Sequence, residues 1–174
     1  MDIMNYVGRC LDVMAVCVEK PLHSEMVEKV KSNLKDASVK EWTPSAFKNF
    51  EDIAYLKDTK LATQFQEFLP HLPFEMTPEM GNGTAIIQMQ NSMLYGMDCQ
   101  LGFMIIDSNG TFAEARHAGD VLFLIINGSG HWMHNGNDTY EQISAGNIVY
   151  NAPMQLQGTK ANHTPLLAFY IVTE

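Results

Sequence analysis

Positive charge is nearly missing from the second half of this sequence. Between residues 71 and 174 the only basic side chains are Arg116 and Lys160, against nine acidic ones, whereas residues 1–70 carry nine basic and eleven acidic. With a formal net charge of −9, the chain presents no attractive field to nucleic acid or to an anionic membrane surface, so neither is expected as a partner. Cysteine is scarce and odd in number. Cys10, Cys17 and Cys99 have no C-x-x-C or finger-like spacing, which excludes a disulfide framework and a zinc finger. Cys10 and Cys17 lie on an apolar helical pattern and are expected to be buried, reduced thiols.

Long apolar runs are absent too. The opening MDIMNYVGRCLDVMAVCVEK has no basic start and its apolar residues are interrupted by charge, so neither a signal peptide nor a spanning helix is expected. The N-x-S/T triplets beginning at Asn82, Asn109, Asn127, Asn137 and Asn162 then read as turn asparagines, and a cytoplasmic location is the expectation. There is no G-x4-G-K-S/T phosphate loop and no G-x-S-x-G nucleophile elbow.

What is present suits one domain with a helical extension. The chain has 174 residues and is 46% apolar, enough to bury a core without a metal or disulfide. Ile3, Tyr6, Val7, Cys10, Leu11, Met14 and Cys17 follow a helical rhythm over 3–19, which Pro21 ends. Ser24 caps a second expected helix over 25–35, striped by Val27, Val30 and Leu34. Thr43-Pro44 signals a third, continued by Phe47, Phe50, Ile53 and Ala54. Leu61, Phe65, Phe68 and Leu69 mark a fourth, closed by Pro70 and Pro73. Residues 1–70 therefore read as a helical segment.

Composition shifts at about residue 70, and from about 84 onward the rhythm becomes short runs broken by Asn91-Ser92, Asn109-Gly110, Asn127-Gly128, Asn135-Gly136 and Gly146-Asn147, the signature of antiparallel hairpins. Strands are expected near 84–89, 99–106, 111–117, 120–126, 130–134, 140–143, 148–151, 154–158 and 166–172. The fold class is mainly β, an antiparallel sandwich or small barrel over 71–174 with the helical segment packed on it. Alternation along 120–126 supports the packing. If His117 points inward, so do Val121, Phe123 and Ile125, and the opposite face, Leu122, Leu124 and Ile126, is equally apolar. Burial of each such side chain is worth roughly 1.5–3 kcal/mol, so the outer face requires cover from the helices or from a second copy in a homodimer.

The succession GMDCQLGFMI, HAGDVLFLIINGSGHW, SAGNIVYNAPMQLQG and TPLLAFYIVTE, behind a run of helices, resembles the cupin superfamily, and within it the dimethylsulfoniopropionate (DMSP) lyases. The resemblance spans residues 70–174, with the helical part in outline. It implies a jelly-roll-like cupin β-barrel, a divalent metal held by two His and a Glu from one motif and a His from another, and a tyrosine that removes a proton next to the substrate carboxylate. Carried over, the first motif places its ligands at Ala115, His117 and Val121 and its tyrosine at Phe123, and the second places its His at Gln157. His117 alone keeps the family's residue. A transition-series ion needs about three protein donors, and phenylalanine cannot take a proton.

The resulting expectation is a metal-free homologue that binds a small, partly apolar molecule without lyase turnover and without a cofactor. Its ligand-binding set is His117, Gln157, Phe123, Val121, Ala115, Tyr150 and Tyr170, with Gln157 facing His117 as a hydrogen-bonded pair. His131 and His134, three apart on one strand, point to opposite faces. The alternative is an active lyase or related enzyme, using zinc, iron or manganese, with a site relocated onto His117, His131, Gln157 and a tyrosine. Glu114, Asp120 and Arg116 have outward parity, Arg116 being expected in a surface or helix-facing ion pair. His134 is expected as a turn residue, and His23 as a connector residue without a role.

Overall fold

Helices form where apolar side chains recur every three or four residues. The computed structural model describes residues 2–45, 56–134 and 140–174. Helix α1 (Ile3–Cys17) is capped by Asp2, whose carboxylate accepts from the Asn5 N–H at 2.8 Å. Helix α2 (Pro21–Asp36) starts at Pro21 and not after Ser24, because proline in the first turn gives up no helical hydrogen bond. The Ser24 hydroxyl turns back to the Lys20 carbonyl instead. A short strand β1 (Ser38–Val39) follows, and the helix expected beyond Thr43-Pro44 falls on residues 46–55, outside the described residues. Helix α3 (Lys60–Phe68) is capped by the Thr59 hydroxyl.

The strands are β2 (Thr84–Gln88), β3 (Leu94–Tyr95), β4 (Gln100–Ile106), β5 (Thr111–Ala115), β6 (Asp120–Asn127), β7 (Ser129–His134), β8 (Tyr140–Ser144), β9 (Ile148–Asn151), β10 (Gln157–Ala161) and β11 (Leu166–Thr173). They form two antiparallel sheets, β2-β4-β11-β6-β9 and β5-β10-β7-β8, besides a β1-β3 ribbon. The two sheets face one another across a shared apolar cluster as a sandwich; among the described residues no ladder joins them into a closed cylinder. Two expectations shift. Asn91-Ser92 ends a short helix α4 (Met89–Ser92), and the strand expected at 154–158 lies at 157–161. Met154, at φ 61°, sits in a left-handed turn that no strand residue adopts, and so pushes the strand back.

Alternation on the five-stranded sheet sorts the core in two. Leu122, Leu124 and Ile126 join Phe103, Phe169 and the helices in one cluster, while Val121, Phe123 and Ile125 join Trp132, Ile143 and Tyr170 in the other. The helices thus cover the outer face, with Phe103 at the centre, 5.8 Å from Tyr6, 4.8 Å from Phe65 and 5.2 Å from Phe169 between ring centroids. A homodimer would need another surface. Asn127 is more than a turn residue. Fully buried, it accepts from the Lys57 and Asp58 N–H groups at 2.9 and 3.0 Å and donates to the Pro165 carbonyl at 2.8 Å, stitching the approach to α3 onto the β6–β7 turn. Cys10 and Cys99 are buried thiols, but Cys17 is exposed because it closes α1 on the solvent side. Among the described residues no helix is long and apolar enough to cross a membrane.

Candidate functional site

Between the sheets, an inner cavity of about 130 Å³ opens beside the β5–β6 connection. Pockets for drug-sized ligands run to roughly 300–1,000 Å³, so this one suits a molecule of a few heavy atoms. Five residues of the sequence-derived set line it: Ala115, His117, Val121, Phe123 and Tyr170. Phe112, Met104 and Ile86 complete an apolar wall, and the exposed Gln88 and Gln100 flank the mouth.

His117 lies just past the end of β5 and is held by its neighbours. Its carbonyl accepts from the Met154 N–H at 2.7 Å, and the Met154 carbonyl accepts from Arg116 Nη1 at 2.6 Å. The left-handed Met154 and the exposed Arg116 therefore clamp the connection that presents the imidazole, and Arg116 serves this bond where an ion pair was expected. Burial pushes the His117 pKa below the ordinary histidine value, so at neutral pH the ring is neutral, with one donor and one acceptor nitrogen.

Tyr170 stands on the inner face opposite Gly102. A Cβ at Gly102 would lie 1.7 Å from the Ile87 carbonyl oxygen and 2.8 Å from the Tyr170 hydroxyl, so only glycine lets that hydroxyl donate to Ile87, at 3.0 Å. Burial drives the phenol pKa well up, leaving Tyr170 a donor and not a base. Tyr150 must be removed from the set. It pairs with Leu122 on the outer face, donates to Asp120 Oδ1 at 2.6 Å and lies 4.5 Å from the ring of His23. The bond to Asp120, followed by burial, pushes its pKa up to about 12. His23 is accordingly a buried member of α2 and no mere connector residue.

The Gln157–His117 pair does not form. Gln157 opens β10 between Ala115 and His134, 1% exposed, and among the described residues neither atom of its amide has a hydrogen-bond partner. The same holds for the Trp132 indole N–H and the Thr159 hydroxyl, which sit opposite each other on β7 and β10. His131 alternates outward with the exposed Gln142 and Lys160 as neighbours, so it does not share a site with His117. His134 is no turn residue. It closes β7 with Nδ1 3.2 Å from Asn151 Oδ1 and Nε2 3.0 Å from Glu141 Oε2, linking the two sheets. Trp132, Thr159 and Asn151 were missed by sequence reading, although the alternation that places Trp132 inside was available in Gly130-His131-Trp132.

Chemically, Ala115, His117, Val121 and Gln157 offer a methyl group, one imidazole, an isopropyl group and a neutral amide. Among the described residues no three His, Cys, Asp or Glu gather as metal donors. This donor set does not fit a divalent ion.

The chain is similar in structure to the DMSP lyase DddQ from Ruegeria pomeroyi DSS-3, with a TM-score of 0.74 at 12% identity over 100% of this chain and 93% of that one. The chain has the cupin fold. Partial similarity extends to the Schizosaccharomyces pombe Cnp3 cupin domain (TM-score 0.49, 11% identity, 61% of this chain and 72% of that one) and to a cupin 2 conserved barrel domain protein from Rhodopseudomonas palustris (0.47, 20%, 59% and 69%). No protein-family model and no curated protein sequence matches the chain. At these identities the likeness is one of cupin architecture, and the chemistry of this cupin has to be argued from its own side chains.

Proposed function

We propose that this cupin-fold protein binds a small, partly apolar molecule in the inner cavity beside His117, without a metal and without lyase turnover. The observation that carries the reading is the cavity wall itself. Of its described lining residues, His117 is the single imidazole and no carboxylate joins it; the resemblance to DMSP lyases carries their tyrosine to Phe123. A neutral imidazole can exchange hydrogen bonds with a polar group while Phe112, Met104 and Phe123 take its apolar part. A cytoplasmic setting fits the free thiols Cys10 and Cys99. Metal analysis of protein purified without chelators tests the reading. Metal well below one equivalent is expected, and near-stoichiometric zinc, iron, manganese or nickel in the cavity would end it. Thermal-shift screening with small carboxylates and sulfonium compounds then tests for a ligand.

The second reading is a lyase or related enzyme with a relocated site. It is favoured by the likeness to a protein named as a DMSP lyase and by the presence of His117 and Tyr170 on one wall. Full activity of a His117→Ala variant on any substrate found would remove it.

A further inference from the structure

Next to the cavity, but not on its wall, lies a row of polar groups that the fold buries and does not pair. Trp132, Gln157 and Thr159 are 0%, 1% and 3% exposed, and among the described residues the indole N–H, both amide atoms and the hydroxyl have no partner. All three point between the sheets, since Trp132 faces Thr159 and His134 faces Gln157 across the β7–β10 ladder. The row adjoins the cavity twice. Phe112 and Ala115 on the wall are the β5 neighbours of Thr159 and Gln157, and the ring of Phe123, also on the wall, lies 4.5 Å from that of Trp132. Buried polar groups in folded proteins are ordinarily paired. A cluster left open beside a cavity has hydrogen bonds to offer to water or to a ligand's own polar group.

Its chemistry selects the group. Trp132 is a donor only, Thr159 donates or accepts, and Gln157 offers a donor and an acceptor side by side. Asn151, whose Nδ2 is also unpaired, is counted separately, because His134 between it and Glu141 sets which amide atom faces inward. Among the described residues no lysine or arginine faces the row, since Lys160 points outward on β10 and Arg116 is on the Met154 carbonyl, while His134, opposite Gln157, is engaged by Asn151 and Glu141. A charged carboxylate would be stripped of water there without a counter-charge.

We infer that this row is the polar-head subsite of the ligand proposed above. It takes an uncharged carboxamide or carboxylic acid, whose adjacent acceptor and donor pair with the Gln157 amide and whose carbonyl accepts from Trp132 or Thr159. The short apolar remainder lies in the cavity against Phe123, Met104 and Phe112. This inference rests on the metal-free binding reading.

Titration calorimetry on the full chain tests it, with butyramide, butyrate and butanol as probes. Butyramide is expected to bind, with butyrate at pH 7 weaker by roughly tenfold or more and gaining as the pH is lowered to about 5, where more of it is the neutral acid. Gln157→Leu is expected to weaken butyramide by roughly tenfold or more and to raise the Tm of the free protein, because two unpaired atoms disappear. Thr159→Val should act in the same direction, more weakly, and stands in if the first variant fails to fold. Absence of butyramide binding to the wild type, or unchanged binding in the variants, overturns the inference. So does butyrate binding as tightly as butyramide at pH 7, or a fall in Tm on removing the Gln157 amide, which would mark it as held by ordered water. Each of these leaves the metal-free reading to be decided by metal analysis.

Discussion

The two faces of strand β6 were given the same kind of residue and put to different uses. Its outward side chains, Leu122, Leu124 and Ile126, are closed over by helices and packed around Phe103, whereas its inward ones, Val121, Phe123 and Ile125, pack with Trp132, and Val121 and Phe123 border a cavity beside unpaired polar groups. Stability is concentrated where apolar surface meets apolar surface, around Phe103. Binding belongs where the same sheet leaves space and hydrogen-bonding capacity over. Period-two alternation makes the division possible, since neighbouring residues on one strand answer to opposite layers.

The strongest way to break that division is to empty the packed side. Phe103→Ala leaves a hole among Tyr6, Phe65 and Phe169 and is expected to cost about 3–5 kcal/mol, read as the shift of a urea unfolding midpoint. A loss below about 1 kcal/mol would mean that the helices do not hold the sheet as described. Asn127→Ala comes next. It removes three bonds and strands the Lys57 and Asp58 N–H groups and the Pro165 carbonyl, for about 2–4 kcal/mol, and limited proteolysis should then cut before α3 sooner than in the wild type.

Much of this was legible beforehand, for identifiable reasons. The helical rhythm around Tyr6, Val7 and Cys10 and the alternation through 120–126 are repeated signals; they call for cover on the outer face, which the helices provide. Single-residue signals fared worse. Ser24 was a good cap candidate outcompeted by Pro21, and nothing before Met154 announces its left-handed turn, which moved β10 by three residues. The site followed the same rule. Ala115, His117, Val121 and Phe123 are the positions to which the resemblance carries the family motif, and all four line the cavity. Tyr150 was misassigned because its face depends on the register of β9, which a four-residue strand does not reveal. The unpaired row was invisible, since a missing hydrogen bond is a property of three strands at once and of no local pattern.

On the open side, filling space should alter function more than stability. Ala115→Leu puts an isobutyl group into the cavity beside His117 and is expected to abolish binding of any cavity ligand while changing stability by less than about 1.5 kcal/mol. Calorimetry and urea unfolding on the same sample read both. Retained binding would place the ligand elsewhere.

The finest comparison sets two histidines against each other, one for each side of the sheet. Burial lowers the pKa of both His23, packed on Tyr150 beneath α2, and His117 at the cavity. For His23, Lys20 adds to the lowering and Asp120 opposes it. A base whose folded pKa lies below its unfolded value binds fewer protons folded than unfolded throughout the interval between the two. Stability is therefore full above the unfolded histidine value of about 6.5, falls as the pH drops below it, and levels off beneath the folded pKa. Urea midpoints at pH 7.5 and about 5.5 should differ in that direction. His23→Phe, which keeps an aromatic ring against Tyr150, and His117→Ala should each remove part of the difference. A cavity ligand should enlarge the His117 share by drying its surroundings and leave the His23 share alone. If ligand moved both shares equally, the helix layer and the cavity would be coupled through β6, and the two faces could no longer be treated as independent.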